Sequence, residues 1–298
     1  LTLSVNGEVR QRDSTRNLVF GPAETLAELT TFSDLSPGDL ILTGTPAGCA
    51  LRVPPPPLRR LMQLLPERVL WKAFVKAQQK RLGTKRGFIA VKPNCSIQSY
   101  VPALHAVREV GPEKVFVCTY QAISGAGKTF QDWPEMVDNV IPFIGGEEEK
   151  SEIEPLKVWG ELRDGQILNA AGPTISSQCI RVPVSDGHLA AVFVSFARKP
   201  SKERILELWR SFRGRPQELE LPSAPKPFLT YFEEDNRPQT RLDRDAGGGM
   251  GITVGRLRED RIRDWRFVCL SHNTLRGAAG GAVLTAELLQ AEGHLQAR

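Results

Sequence analysis

Four stretches of the chain, 115–120, 190–196, 251–257 and 266–270, alternate apolar with small or polar residues and are rich in β-branched or aromatic side chains. Alternation with period two predicts half-buried strands there. A helical period follows Ser201, which is placed to cap a helix carrying Ile205, Leu208, Trp209 and Phe212 on one face, with Gly214 as its stop. An apolar strand is expected over 88–91, and an amphipathic helix from Cys95 towards Val107. The last helix, after Asn273, is rich in small residues over Gly277-Ala-Ala-Gly-Gly-Ala282, which let its backbone approach a neighbour closely. Antiparallel-looking strands with helices between them make an α+β domain.

The front of the chain has a different pattern. Residues 1–50 predict strand, turn, helix, strand: Asn6-Gly7 tolerates the positive φ of a hairpin turn, Pro22 suits the first turn of a helix over 23–32, and Ser36-Pro-Gly-Asp39 turns into the strand 40–42. Four prolines, Pro54 to Pro57, cannot continue a helix or a central strand and mark a stiff boundary. Residues 58–82 are helical in pattern, interrupted at Pro66. Leu1 opens inside a strand, so the expectation is that something upstream has been lost.

Charge sharpens this division. Residues 1–82 carry 11 Lys/Arg against 7 Asp/Glu, and the remainder 28 against 27, within a formal net charge of +5. The larger part is nearly neutral, which argues against a nucleic-acid surface there. Ten of the cations fall between residues 51 and 86 beside one acid. They describe a solvated basic face on a surface helix, or a basic amphipathic helix on a membrane or acidic partner. Five cysteines show no CxxC and no paired spacing, which points to a reducing compartment rather than a disulfide framework or zinc site. No apolar run is long enough to cross a bilayer and no signal-peptide pattern opens the chain, so a cytoplasmic protein without membrane contact is expected.

Candidate chemistry lies in four segments. In Pro93-Asn94-Cys95-Ser96 a thiol would occupy the first turn of a helix, where the positive end of the dipole favours the thiolate. A single free cysteine is by itself usually a small buried hydrophobe. Thr119-Tyr-Gln121-Ala-Ile-Ser124-Gly125-Ala-Gly127 runs a strand into a glycine-containing loop whose bare amides can approach a ligand. Gly145-Gly-Glu147-Glu-Glu-Lys150 alone reads as a charged helix start, and Arg181-Val-Pro-Val-Ser-Asp-Gly187-His188 sets a cation and an imidazole seven residues apart. Together they offer a thiolate, an imidazole, an Arg for a carboxylate, and a Glu/Lys pair for an amine and an anion. That set suits an amino-acid aldehyde processed through a thiohemiacetal and a thioester.

These segments, with Asn139-Val-Ile-Pro-Phe-Ile144 ahead of the glycines, resemble the aspartate-semialdehyde dehydrogenase family in the branch shared by archaea, fungi and some bacteria. So do Arg241-Leu-Asp-Arg-Asp-Ala-Gly247, Val254-Gly-Arg-Leu-Arg-Glu259 and Ser271-His-Asn-Thr-Leu-Arg-Gly-Ala-Ala-Gly-Gly281. The resemblance implies a mixed or antiparallel sheet with helices on one face, no resident metal, and a homodimer or homotetramer. It also implies the reversible, NADP- and phosphate-dependent interconversion of β-aspartyl phosphate and aspartate semialdehyde. Motif by motif, it makes Cys95 the nucleophile, His188 the acid/base and Gln121 a substrate-positioning residue. Arg181 would hold the substrate carboxylate and Glu147 the amine, with Glu148 an alternative; Asn94 and Lys150 would contact phosphate. Ser124, Gly125 and Asn273 would meet the nicotinamide half of NADP.

The family begins with a Rossmann half whose glycine-rich loop holds the dinucleotide phosphates. Residues 1–82 contain no such loop: the nearest glycine pair, in Gly44-Thr-Pro-Ala-Gly48, has the wrong spacing and a proline inside it. Ser4-Val-Asn-Gly-Glu-Val-Arg10 and Ser36-Pro-Gly-Asp-Leu-Ile-Leu-Thr-Gly-Thr-Pro-Ala-Gly48 instead resemble the fumarylacetoacetate hydrolase family. That family's metal ligands would precede Leu1, so no metal and no activity are assigned to this segment. The expected organisation is a hydrolase-like fragment over 1–57, a basic helical junction over 58–83, and a catalytic and dimerisation domain over 84–298. Three functions follow from it: an active dehydrogenase, a fused chain that keeps the thiolate site without its dinucleotide-binding half, or a dimeric interaction module.

Overall fold

The computed structural model describes residues 2–5, 8–12, 67–83, 88–163 and 166–295. In chain order these form β1 (Thr2–Val5), β2 (Glu8–Arg12), α1 (Glu67–Leu82), α2 (Val101–Ala106), β3 (Pro112–Gln121), α3 (Glu147–Val158), β4 (Glu161–Arg163) and β5 (Gln166–Leu168). There follow β6 (Thr174–Arg181), β7 (His188–Phe196), α4 (Lys202–Ser211), β8 (Leu229–Phe232), β9 (Ile252–Glu259), β10 (Trp265–Ser271) and α5 (Gly280–Ala291). The chain divides into two compact units, residues 1–91 with 161–168, and residues 92–160 with 169–298.

In the first unit, β1 and β2 pair antiparallel, as the Asn6-Gly7 signal predicts; the turn itself, the helix over 23–32, the strand over 40–42 and the proline run lie outside the described residues. The helical pattern after Pro66 is α1. The strand expected over 88–91 is absent. Ile89 donates its N–H to Gln78 Oε1 at 2.7 Å and its carbonyl accepts from Gln78 Nε2 at 3.0 Å, so a glutamine side chain takes the backbone groups that a neighbouring strand would have paired.

The second unit is a six-stranded sheet in the order β6-β3-β7-β10-β9-β8. All four predicted strands are present in it. The sheet is mixed: β3 runs parallel to β6, and β8 parallel to β9, while the other neighbours are antiparallel. Alternation sorts its side chains. Val115, Val117, Val192, Val194, Phe267 and Val254 face inwards under the helices and are buried. Phe116, Cys118, Tyr120, Ala191, Phe193 and Val268 face the other way and are partly or fully exposed. Period-two alternation with helices on one face is the α+β arrangement expected.

Ser201 caps α4 as predicted, accepting the Arg204 N–H at 3.1 Å. The helix ends at Ser211, earlier than Gly214, which instead precedes the next helical turn. Among the described residues Trp209 is the largest fully buried side chain: 1% exposed, edge-on to Phe267 with centroids 5.1 Å apart, its indole N–H on Ala103 O at 2.9 Å. It joins α4 to α2 and to the sheet at once. Replacing such a residue leaves a cavity and an orphaned carbonyl. Trp209→Ala should cost about 3–5 kcal/mol of stability, measured by denaturant unfolding; a loss under about 1 kcal/mol would show that the helices and sheet do not share one core.

Candidate active site

The strand ends carry the site. In the parallel pair, Gln121 ends β3 directly opposite Arg181 at the end of β6, both on the inner face. The chain then turns and enters β7 at His188, on the same face. Glu147 opens α3, and Gly146 before it sits at φ 72°, in the left-handed region that favours glycine. Gln121, Glu147, Arg181 and His188 are all buried.

The Glu147 carboxylate is the hub. It accepts hydrogen bonds from Asn94 Nδ2 at 3.0 and 3.2 Å, Gln121 Nε2 at 3.4 Å and Ser96 Oγ at 3.4 Å, and pairs with Lys150 Nζ at 3.1 Å. Its neighbour Glu148 turns away and accepts the Cys179 N–H of β6 at 3.1 Å. Of the two glutamates left open by the sequence, Glu147 therefore faces Asn94 and Gln121.

Around Cys95 the expected continuous helix does not form. Asn94 Oδ1 accepts the Ser96 N–H at 2.7 Å and its hydroxyl at 2.8 Å, closing a tight turn; a 3-10 turn at Ile97–Ser99 follows, and α2 begins only at Val101. Pro102, in the first turn of α2, has no N–H to continue a longer helix. The thiol also departs from expectation. Burial, and then the Glu147 carboxylate, push its pKa up, against smaller opposing effects of Lys92 and Arg181. In the substrate-free protein the thiol form is favoured, because desolvation and a like charge outweigh the cations.

His188 is fully buried and its pKa is pushed down to about 3, first by burial and then by the Arg181 guanidinium. Its Nδ1 accepts the Ala122 N–H at 3.1 Å, so the neutral ring carries its proton on Nε2. That Nε2 is buried and has no hydrogen-bond partner. It faces Gly125, where a Cβ would come within 3.0 Å of Nε2 and within 2.9 Å of Arg181 Nη1. Arg181 in turn donates to Ala122 O at 2.6 Å. The bare backbone of Gly125 thus packs against the imidazole Nε2 and the guanidinium, where no side chain could stand. Next to it, Asn273 Nδ2 donates to Ser124 Oγ at 2.9 Å, while Asn273 Oδ1 accepts the Gly187 N–H at 2.7 Å. Residues 149 positions apart are joined in this way.

All ten residues singled out from the sequence lie in the second unit, in linked groups: Asn94, Gln121, Glu147 and Lys150; Gly125, Arg181 and His188; and Ser124 with Asn273. Cys95 adjoins the first two through Glu147 and Arg181. Sequence reasoning missed Ser96, on Glu147, and Glu154, which accepts the Asn94 N–H at 2.8 Å. It also missed Lys92, whose charge acts on Cys95, although Lys92 and Ser96 stand inside the cysteine motif. Among the described residues no cluster of three or more His, Cys, Asp or Glu could hold a metal, and no helix is long and apolar enough to cross a membrane.

A sheet with one covered face, bearing a buried histidine and arginine at its strand ends beside a half-buried cysteine, fits the dimerisation domain of semialdehyde dehydrogenases, whose family matches residues 102–276. The chain belongs to that family. It is 44% identical over 219 residues to aspartate-semialdehyde dehydrogenase of Methanothermobacter thermautotrophicus, a match covering 72% of this chain and 62% of that protein. The crystal structure of aspartate semialdehyde dehydrogenase with NADP from Candida albicans aligns with a TM-score of 0.65 at 36% identity, over 77% of this chain and 64% of that one. Aspartate semialdehyde dehydrogenase II from Vibrio cholerae aligns with a TM-score of 0.54 at 26% identity, over 72% and 67%. The chain spans somewhat under two thirds of the length of the curated relatives it matches. Residues 1–77 match a different family, the C-terminal domain of fumarylacetoacetate hydrolases.

Two outcomes follow from the charges. Removing the Glu147 charge should lower the thiol pKa, so Glu147→Gln should speed Cys95 alkylation by iodoacetamide at pH 7 by about threefold or more; a slower or equal rate would mean that Glu147 does not act on the thiol. For His188 the folded pKa of about 3 lies below the ordinary 6.5, so the unfolded chain takes up the proton first. Stability should therefore fall as pH drops from about 6.5 towards 3, by at most ~1.4 kcal/mol per pH unit. Thermal melts between pH 7 and 5 should show a larger loss for the wild type than for His188→Asn, and equal losses would contradict a buried neutral imidazole.

Proposed function

We propose that this chain carries the acyl-transfer site of an NADP- and phosphate-dependent aspartate-semialdehyde dehydrogenase, with Cys95 as nucleophile. The observation that carries the reading is the orphaned, buried His188 Nε2, set against the bare backbone of Gly125 and beside the Arg181 guanidinium. A buried donor without a partner is costly unless something arrives to accept its hydrogen bond.

In the reductive direction, Cys95 Sγ attacks the carbonyl of β-aspartyl phosphate, and phosphate leaves with the bonding electron pair and takes up the thiol proton, giving a thioester. Arg181 holds the substrate carboxylate and Glu147 its ammonium group, with Gln121 and Asn94 fixing the orientation. The ammonium competes with Lys150 for Glu147, and its charge offsets the repulsion that keeps Cys95 protonated. Lys150 and Asn94 face the departing phosphate. The Nε2–H of His188 steadies the carbonyl oxygen by a hydrogen bond; as a neutral imidazole it donates that bond without giving up its proton. Ser124, Gly125 and Asn273 fit the nicotinamide end of NADP, because Gly125 offers bare backbone beside the Asn273–Ser124 pair. Bound there, NADPH supplies the hydride. The partly exposed outer face of the sheet, with Phe116 and Phe193 ring centroids 6.1 Å apart, is the surface through which two copies join as a homodimer or a dimer of dimers. A cytoplasmic location goes with unpaired cysteines.

A second feature shapes the expected activity. Residues 1–77 match a hydrolase domain where a glycine-rich phosphate loop would be needed. We therefore read these 298 residues as a formed site without its dinucleotide-binding half. Phosphate-dependent NADP reduction with aspartate semialdehyde should be absent, while aspartate semialdehyde added before iodoacetamide protects Cys95 and not the other four thiols. Turnover that vanishes in Cys95→Ala would mean a complete enzyme, and a Cys95 that gains no more protection than the other cysteines would remove the site altogether.

A further inference from the structure

The segment that follows β10 reaches two parts of the site at once. It starts at His272 and Asn273, beside Ser124, and continues as a π-helical turn, Leu275–Ala279, before α5. The wide turn is closed by Gly277 N–H on His272 O at 2.9 Å and Ala279 N–H on Thr274 O at 3.0 Å, each spanning five residues. The extra residue in the turn swings Gly277 against the nucleophile. A Cβ at Gly277 would lie 2.6 Å from Cys95 Cβ and 3.1 Å from Cys95 Cα. Four residues on, a Cβ at Gly281 would lie 3.4 Å from Lys92 Cδ. The backbone at Cys95 therefore packs where only glycine at 277 leaves room, and Lys92 lies in ordinary contact range of position 281.

A second tie binds the same two segments. Arg276 Nε donates to Gln98 Oε1 at 3.0 Å, and Gln98 Nε2 donates to Pro93 O at 3.4 Å, two residues before the thiol. The guanidinium also stacks over Phe228, 4.6 Å from the ring centroid. Among the described residues no carboxylate pairs with it. A largely buried arginine held by one amide oxygen and one ring is an expensive way to fill space. Its placement makes sense as a brace: π-turns recur where a helix must aim groups at a functional site.

We propose that the π-turned segment 272–281 positions the nucleophile, with Gly277 as the positioning residue for Cys95 and the Arg276–Gln98–Pro93 chain as its brace. One rigid segment thereby fixes both Asn273, on the nicotinamide side, and the backbone that carries the thiol. This rests on Cys95 being the nucleophile. Neither Gly277 nor Arg276 touches the reacting atoms.

The test uses the full 298-residue chain and needs no turnover. Rates of Cys95 carbamidomethylation by iodoacetamide are followed by peptide mass spectrometry from pH 6 to 10, for wild type, Gly277→Ala, Arg276→Met and Gly214→Ala. Gly214→Ala is the control, because its Cβ meets Gln217 Oε1 at 3.1 Å and Pro216 Cδ at 3.6 Å and neither the π-turn nor the cysteine loop. We expect Gly277→Ala to change the Cys95 rate at pH 7.5 by about tenfold and to move the midpoint of its pH profile. Arg276→Met should move both in the same sense by a smaller factor, and Gly214→Ala should leave both near wild type. An unchanged profile in Gly277→Ala, or equal changes in Gly277→Ala and Gly214→Ala, would overturn the proposal. If Gly277→Ala does not fold, Arg276→Met against Gly214→Ala decides in the same way. A wild type in which aspartate semialdehyde does not slow Cys95 labelling would instead overturn the underlying assignment of the nucleophile.

Discussion

The parallel pairing of β3 with β6 is the constraint on which the site depends. It places Gln121 opposite Arg181 at the same end and on the same face. Because side chains alternate with period two, that one register decides what the two strands present to the helices. A slip of one residue in β6 alone would turn Arg181 towards the bare outer face and bury Ile180 in its place. The antiparallel pairing of β3 with β7 extends the arrangement to His188, which begins β7 beside the same strand ends. The site is thus the edge of the core. The valines that hold the helices down continue, two residues at a time, into the polar groups that face one another at the strand ends.

Burial then sets how those groups behave. In water a cysteine and a histidine would titrate near neutrality; here burial pushes the thiol up and the imidazole down, so both are held uncharged in the free site. What charge remains is concentrated in Glu147, Lys150 and Arg181. Glu147 is satisfied by amide, hydroxyl and ammonium donors, while Arg181 is satisfied on one side by a backbone carbonyl. Such a site is poised rather than active. A ligand bringing an ammonium to Glu147 and a carboxylate to Arg181 would offset the two charges that add to the larger effect of burial on Cys95 and His188.

Much of the fold and the candidate site was legible in the sequence. Alternation located four of the five long strands and left β6 unmarked, Ser201 gave the cap, and the helical face of Ile205 and Trp209 became the core contact of α4. Local chemistry also marked the cysteine loop, the glycine loop and the Arg–His turn. Where expectation and structure part, the cause is always a group distant in sequence or a side chain competing with backbone. Gln78 takes the backbone groups of Ile89, Asn94 folds the Cys95 turn, and the π-turn replaces the first turn of the last helix.

The sequence by itself determined the elements, the residue types available for chemistry, and the family those motifs resemble, because periodicity and turn propensity act over a few residues. Only the tertiary structure decided that Glu147 and not Glu148 faces Asn94 and Gln121, that Cys95 is held as a thiol, and that Gly277 lies against it. Each of those depends on burial and on contacts between segments 50 to more than 180 residues apart, such as Asn94 with Glu147 and Cys95 with Gly277. Desolvation and close packing are properties of the assembled core, and no local pattern carries them.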